Sequence, residues 1–323
     1  MSVPIEADWI WNGQRIRWSR CGDPAAPAAA LLIHGFGASL RHWRHNQPVL
    51  AEQVEVYALD LLGFGASDKP RSRLADEPAE PGAVAYGFDL WASQVVDFLE
   101  SRGLLPEPEA AGTTPAGAHG RPLHLIGNSI GGVVALNAAR LLQERGAAPA
   151  QVVLIDCAQR TLDDKRVAAL PSWERAGRPL LKQAVRQRWL LAPLFRLLAR
   201  EPMVRAVLRQ AYPSGANVDA ELLELLLTPA REAGALESFR GFVNLFNDRL
   251  APELLAQLTL PVRMLWGARD PWEDPAEARL WADTYGCVRE LQVLEGLGHC
   301  PHDEAPERVN PILQRWLQLA AGS

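Results

Sequence analysis

The clearest chemistry in this chain lies in Leu123-His124-Leu125-Ile126-Gly127-Asn128-Ser129-Ile130-Gly131-Gly132. An apolar run meets a G-x-S-x-G pattern and passes into a second apolar run. That arrangement sets Ser129 on a sharp strand-to-helix turn, with its hydroxyl exposed and side chains excluded at the flanking glycines by crowding. The free N–H groups of the helix start favour negative charge nearby. A serine hydroxyl is a weak nucleophile and needs a base, itself oriented by an acid. Two later segments supply these groups. Asp270 follows the apolar run Met264-Leu265-Trp266, and His299 sits in the glycine-rich stretch Glu295-Gly296-Leu297-Gly298-His299. His299 would take the Ser129 proton, and Asp270 would hold the imidazole in the correct tautomer. Asp156, at the end of another apolar run, is a rival acid, and His302 a rival base. Asp274, before Pro275, reads as a helix cap.

An oxyanion site is expected opposite the serine. Ile33-His34-Gly35-Phe36-Gly37 follows the first central strand, so the expected donors are the N–H groups of Phe36 and of Ile130. His34 reads as a brace for this loop, as do His42 and His45 in surface or bracing roles. Asp60-Leu61-Leu62-Gly63-Phe64-Gly65-Ala66-Ser67 lacks the G-x-G-x-x-G pattern and the Gly-Lys-Ser/Thr ending of phosphate loops, and reads as a structural turn. This scheme uses no cofactor and no metal ion.

The elements that must position these residues alternate. Ala29–Ile33, Val54–Leu61, Leu123–Ile126, Gln151–Ile155, Val262–Trp266 and Val288–Leu294 read as strands. Phe88–Arg102, Gly131–Gln143 and Pro306–Leu319 read as helices. Such alternation predicts an α/β fold, a mostly parallel sheet with helices on both faces. Asn12-Gly13, between two alternating runs rich in tryptophan, predicts an N-terminal hairpin. Residues 69–87 and 104–121 are rich in Pro, Ala, Gly and Glu and read as surface loops. Residues 161–250 are rich in Leu, Arg and Trp, and read as an inserted helical subdomain. The prolines at 171, 179, 193, 202 and 213 are expected to break its helices. The organisation is thus core (1–160), helical insertion (161–250), core (251–323).

Composition narrows the function. The 323 residues carry 33 Lys and Arg against 38 Asp and Glu, a net charge of −5. That balance argues against nucleic acid as the partner. No apolar run is long enough for a membrane span. The acidic start of the chain has no secretory h-region. The four cysteines are widely spaced, consistent with free thiols in a reducing, cytoplasmic compartment.

Over residues 29–320 the chain resembles the α/β-hydrolase superfamily. The resemblance rests on His34-Gly35-Phe36-Gly37, Asp60 to Ser67, Gly127 to Gly132, Gly267-Ala268-Arg269-Asp270-Pro271 and Gly298-His299. Serine at 129 separates it from the branches that use an aspartate nucleophile. Arg41-His42-Trp43-Arg44-His45-Asn46 and Gly298 to Glu307 are similar to the chlorophyll dephytylase and pheophytinase group of cyanobacteria and plastids. The resemblance implies a helical cap at 161–250 and hydrolysis of an ester with a large apolar part, such as the phytyl ester of a chlorophyll-type pigment. A general carboxylesterase, or a carbon–carbon bond hydrolase or perhydrolase with the same triad, is the alternative; a non-catalytic binding protein on this scaffold is a third. Trp173, Trp189, Leu190, Leu191, Phe195, Leu197 and Leu198 are candidates either to line a substrate pocket or to form the cap's own core. Arg186, Arg188, Arg196, Arg200, Arg205 and Arg209 would suit peripheral contact with an anionic, thylakoid-type membrane.

Overall fold

The computed structural model describes residues 3–105 and 121–319. Most of the 104–121 loop expected above therefore lies outside the described residues. Strands β1 (Ile5–Trp11) and β2 (Gln14–Cys21) form the expected hairpin, with Asn12 and Gly13 both at positive φ in its turn. Strands β3 (Ala29–Ile33), β4 (Glu55–Leu59), β5 (Leu123–Asn128), β6 (Gln151–Ile155), β7 (Val262–Gly267) and β8 (Val288–Leu294) complete one sheet, in the order β1-β2-β4-β3-β5-β6-β7-β8. β2 runs antiparallel to β4; every later pairing is parallel. Strands β3 to β6 are buried along their whole length, which is why they read as unbroken apolar runs rather than alternating ones.

The helices are α1 (Gln47–Leu50), α2 (Phe88–Ser101), α3 (Ile130–Glu144), α4 (Ser172–Arg186), α5 (Arg188–Leu198), α6 (Glu201–Ala211), α7 (Ala220–Arg231), α8 (Ala235–Val243), α9 (Ala251–Leu255), α10 (Pro275–Thr284), α11 (Pro301–Glu304) and α12 (Pro306–Leu319). One core packs Trp91, Val95, Phe98 and Leu99 of α2 and Val133 and Leu136 of α3 against one sheet face. The opposite face is covered by Trp43, Leu50, Val309, Leu313 and Trp316. Asp274 caps α10 by accepting from the Ala276 N–H, as expected.

Helices α4 to α8 all lie between β6 and β7 in the chain. Two of the expected proline breaks do not occur there: Pro179 lies inside α4 and Pro193 inside α5. Each removes one hydrogen bond, to the carbonyls of Arg175 and Trp189 respectively. Both are exposed residues on the solvent side, where losing an internal bond costs least. Pro171 and Pro213 do lie outside the helices, and Pro202 takes a first-turn position in α6.

The 69–87 segment is not a free surface loop. Ser72, Leu74 and Tyr86 are buried, and Arg188 and Arg240 both bond the Ser72 carbonyl. The carboxylate of Glu237 takes the Ser72 hydroxyl at 2.6 Å and the Arg188 guanidinium at 2.8 Å. Burial opposes its charge, but these donors outweigh it and hold Glu237 at a pKa of about 2. A loop of low hydrophobicity is thus ordered by arginines from the inserted helices.

Candidate active site

Ser129 sits between β5 and α3 at φ 55°, ψ −121°, a conformation that L residues rarely adopt. Three main-chain hydrogen bonds hold it there: its N–H donates to Ile155 O at 2.9 Å, and its carbonyl accepts from Gly132 N at 3.0 Å and Ala158 N at 3.1 Å. A Cβ at Gly127 would run into the Gly131 carbonyl, and one at Gly131 into those of Ile33 and His34. The turn therefore admits only glycine on both sides of the serine. Ile130 is the first residue of α3, so its N–H has no partner within the helix.

Asp270 and His299 come together: His299 Nδ1 donates to Asp270 Oδ2 at 2.8 Å. Burial pushes the Asp270 carboxyl up, but the bond to His299, its charge and the Trp272 N–H bring it below the usual carboxylate range. With Nδ1 donating, Nε2 is left as the basic nitrogen. The Trp272 ring packs edge-on to the imidazole at 4.9 Å. Asn128, one residue before Ser129, bridges Ile155 O and His299 O through its Nδ2, each at 3.2 Å. The elbow and the histidine loop are thus tied together. Ser129 Oγ makes no hydrogen bond to His299 among the described residues; such bonds often tighten only when substrate is bound.

The rival acid has another partner. Asp156 is fully buried at φ 44°, and its Oδ1 accepts from Gly267 N at 2.8 Å. Burial, followed by the nearby Asp270 charge, raises its pKa well above the ordinary value. The two carboxyls are thus shifted in opposite directions, Asp156 towards its protonated form and Asp270 towards its ionised one. His302 is buried against Trp43 and His42, with neither ring nitrogen hydrogen-bonded. Burial pushes its pKa well down, and it does not contact Asp270.

The Phe36 loop lies against the elbow. Gly35 packs on the Asn128 and Ser129 side chains, and the turn closes from Ala38 N to Gly35 O at 3.3 Å. His34 braces this loop: Nδ1 donates to Gly35 O at 2.7 Å, and Nε2 accepts from Leu61 N at 3.1 Å. Burial lowers its pKa to about 4, so it is neutral. Asp60 supports the same region by accepting from Leu40 N and Ala66 N at 2.6 and 2.7 Å. The stretch from Asp60 to Ser67 is a structural turn. His42 bonds Tyr212 at 2.8 Å, and His45 lies 3.8 Å from Asp303.

Beside Phe36 is an apolar cavity of about 300 Å³. The core side contributes Phe36, Gly37 and Phe64, and the inserted helices Phe195, Leu198, Val207, Leu226 and Phe239. A more polar cleft of about 410 Å³, lined by Glu6, Arg41, Asp60 and Glu221 among others, meets the same Gly65 and Pro229. Of the seven apolar residues singled out at 173–198, Phe195 and Leu198 line the cavity and Leu191 is buried. Trp173, Trp189, Leu190 and Leu197 do neither; they are exposed. Helical periodicity marks a face as apolar but does not say what covers it.

One support was not legible in the sequence. His299 N donates to Ala211 O at 3.0 Å, from the last residue of α6. A Cβ at Gly298 would strike the same carbonyl and the Pro213 ring. Tyr212, next in the chain, donates to Asp303 Oδ2 at 3.0 Å. These contacts join residues nearly ninety apart, and no local pattern announces them.

Residues 30–312 match the Alpha/beta hydrolase family. The chain belongs to this family. It is 27% identical over 310 residues to the dihydrolipoyllysine-residue acetyltransferase component of the acetoin cleaving system of Pseudomonas putida, covering 95% of this chain and 68% of that protein. It is 24% identical to the chloroplastic pheophytinase of Arabidopsis thaliana, covering 94% of this chain and 64% of the relative. The chain thus spans about two thirds of the length of these two relatives. Among solved structures, that of a membrane phospholipase A described as a bacterial virulence factor superposes with a TM-score of 0.67 at 23% identity. The match covers 99% of this chain and 87% of the other. No helix of the described residues is long and apolar enough to cross a membrane.

Proposed function

We propose that the chain is a serine hydrolase of carboxylic esters with a large apolar part. The observation that carries this is the Asp270–His299 hydrogen bond beside a serine held at positive φ. Ser129 attacks the ester carbonyl while His299 Nε2 takes its proton. The Phe36 and Ile130 N–H groups hold the oxyanion, and His299 then protonates the leaving alkoxide. Water, deprotonated by His299, releases the acyl group. Asp270 stabilises the imidazolium in both steps.

The apolar part of the substrate fits the cavity beside Phe36, whose lining is mostly apolar, the ammonium of its Lys69 being paired with Glu232. A phytyl ester of a chlorophyll-type pigment is the proposed substrate. Support comes from the similarity to a pheophytinase and from the apolar lining. The test is a series of esters of graded alcohol length together with a pigment ester, with Ser129→Ala as blank and a fluorophosphonate probe as active-site label. Release of phytol is the expected result. If p-nitrophenyl butyrate is turned over and no phytol appears, a general carboxylesterase remains. If neither reacts and the probe does not label Ser129, the ester reading falls.

A further inference from the structure

Helices α4 and α5 expose an apolar face that no described part of the chain covers. On α4, Trp173, Gly177, Leu180, Leu181 and Ala184 recur at intervals of one, three and four residues and so share one side. Trp173 is 73% exposed and Leu180 74%. On α5, Trp189 is 72% exposed, and Leu190, Leu194 and Leu197 are also exposed. Exposed large residues occurring singly are ordinary; several on each of two successive helices, two of them tryptophans, mark an interaction site.

The charge around this face is one-sided. Residues 172–200 hold seven Lys and Arg and one acidic residue, a net +6 in a chain whose total is −5. Four of these seven are engaged with acids outside the window, Arg178 and Lys182 with Asp164, Arg186 with Asp76 and Arg188 with Glu237, and Arg205 of α6 pairs with Glu201. Arg175, Arg196 and Arg200 are exposed and have no ion-pair partner among the described residues. A second copy of the same face would bring like charges together, which argues against self-association there. An anionic surface complements it.

Helix α5 also borders the cavity. While Trp189, Leu194 and Leu197 of α5 point outward, Phe195 and Leu198 of the same helix line the space beside Phe36. Val207 of α6 is exposed and lines the cavity as well.

We propose that the α4–α5 face docks on an anionic lipid bilayer and that the apolar ester passes from the lipid into the cavity along α5. This rests on the ester-hydrolase reading above. The tryptophans enter the headgroup boundary, and the unpaired arginines meet lipid phosphates.

The test is co-sedimentation of the full chain with phosphatidylcholine vesicles, with and without phosphatidylglycerol. Binding to the anionic vesicles, weakened by salt, is expected. Trp173→Ser with Trp189→Ser, and separately Arg196→Glu with Arg200→Glu, should each weaken partition roughly tenfold. Both double variants should keep wild-type turnover of p-nitrophenyl butyrate, since none of the four residues lines the cavity. They should lose the rate gain that wild type shows when a long-chain ester is presented in the vesicles. Failure of the wild type to sediment, or variants that bind as it does, would overturn the proposal. So would a solution dimer that the tryptophan variants dissolve. If short esters are turned over without vesicle binding, only the docking falls; if no ester is turned over, the reading it rests on falls as well.

Discussion

Ser129, Asp270, Asp156 and Glu273 show how position sets the chemistry of a side chain. Ser129→Ala removes one oxygen from a turn held by its main chain, so folding should be preserved while kcat falls at least about 10³-fold. Ester hydrolysis and a melting curve on the same sample check both halves. Asp270→Asn should lower kcat by about 10³–10⁴-fold, because the amide no longer enforces the tautomer. Asp156→Asn should cost far less, since the amide oxygen can still accept from Gly267 N. A reversed ranking would assign the orienting role to Asp156. Glu273 accepts from Gln159 N at 2.7 Å, and burial raises its pKa to about 7. Its folded form therefore holds a proton that the unfolded chain, with a carboxyl near 4.3, releases earlier. The stability linked to Glu273 is fully present below about pH 4 and is lost as pH rises to 7. Glu273→Gln should gain roughly 3–4 kcal/mol on the wild type between pH 4 and 8, read from urea unfolding across that range.

At the scale of elements, several were legible and some were not, for physical reasons. Ala29–Ile33, Gln151–Ile155, Val288–Leu294 and Pro306–Leu319 match their sequence limits to the residue. The first two are deeply buried parallel strands and so continuous apolar runs, and Pro at a first turn marks a helix start. Ser129, Asp270 and His299 each lie just past a strand end, and the structure joins the last two by a hydrogen bond. Pro179 and Pro193 misled because helix packing outweighs one lost hydrogen bond. Trp173 and Trp189 misled because apolar character was equated with burial. The contact of Ala211 with His299 was hidden by its range in sequence. It supplies a prediction: Gly298→Ala pushes a methyl group into the Ala211 carbonyl and displaces the histidine loop. A loss in kcat of about 10²-fold is expected, larger than any change in KM, as steady-state kinetics would show.

The cavity belongs to the whole molecule, since neither the sheet side nor the inserted helices enclose it alone. Each alcohol methylene that enters it can contribute at most about 0.8 kcal/mol, or roughly fourfold in kcat/KM. The gain should accumulate along a homologous ester series and then level off when the cavity is full. Ala199 lines this space at the end of α5, so Ala199→Trp should bring the plateau to a shorter chain. A series whose slope is unchanged in the variant would place the alcohol elsewhere, the polar cleft at Asp60 and Glu221 being the next candidate.

The hydrogen bond from His299 to Ala211 also bears on modular exchange. Inserted helices look transferable between relatives, because they enter and leave the chain between two strands. Here a transplant that replaced α6 would carry away part of the scaffold of the His299 loop. A chimera cut before Glu201 would retain that anchor along with the native sheet, while one cut after Pro213 would inherit a foreign one. Exchange of substrate preference in this protein is therefore best confined to α4 and α5, whose loss leaves the histidine loop still held.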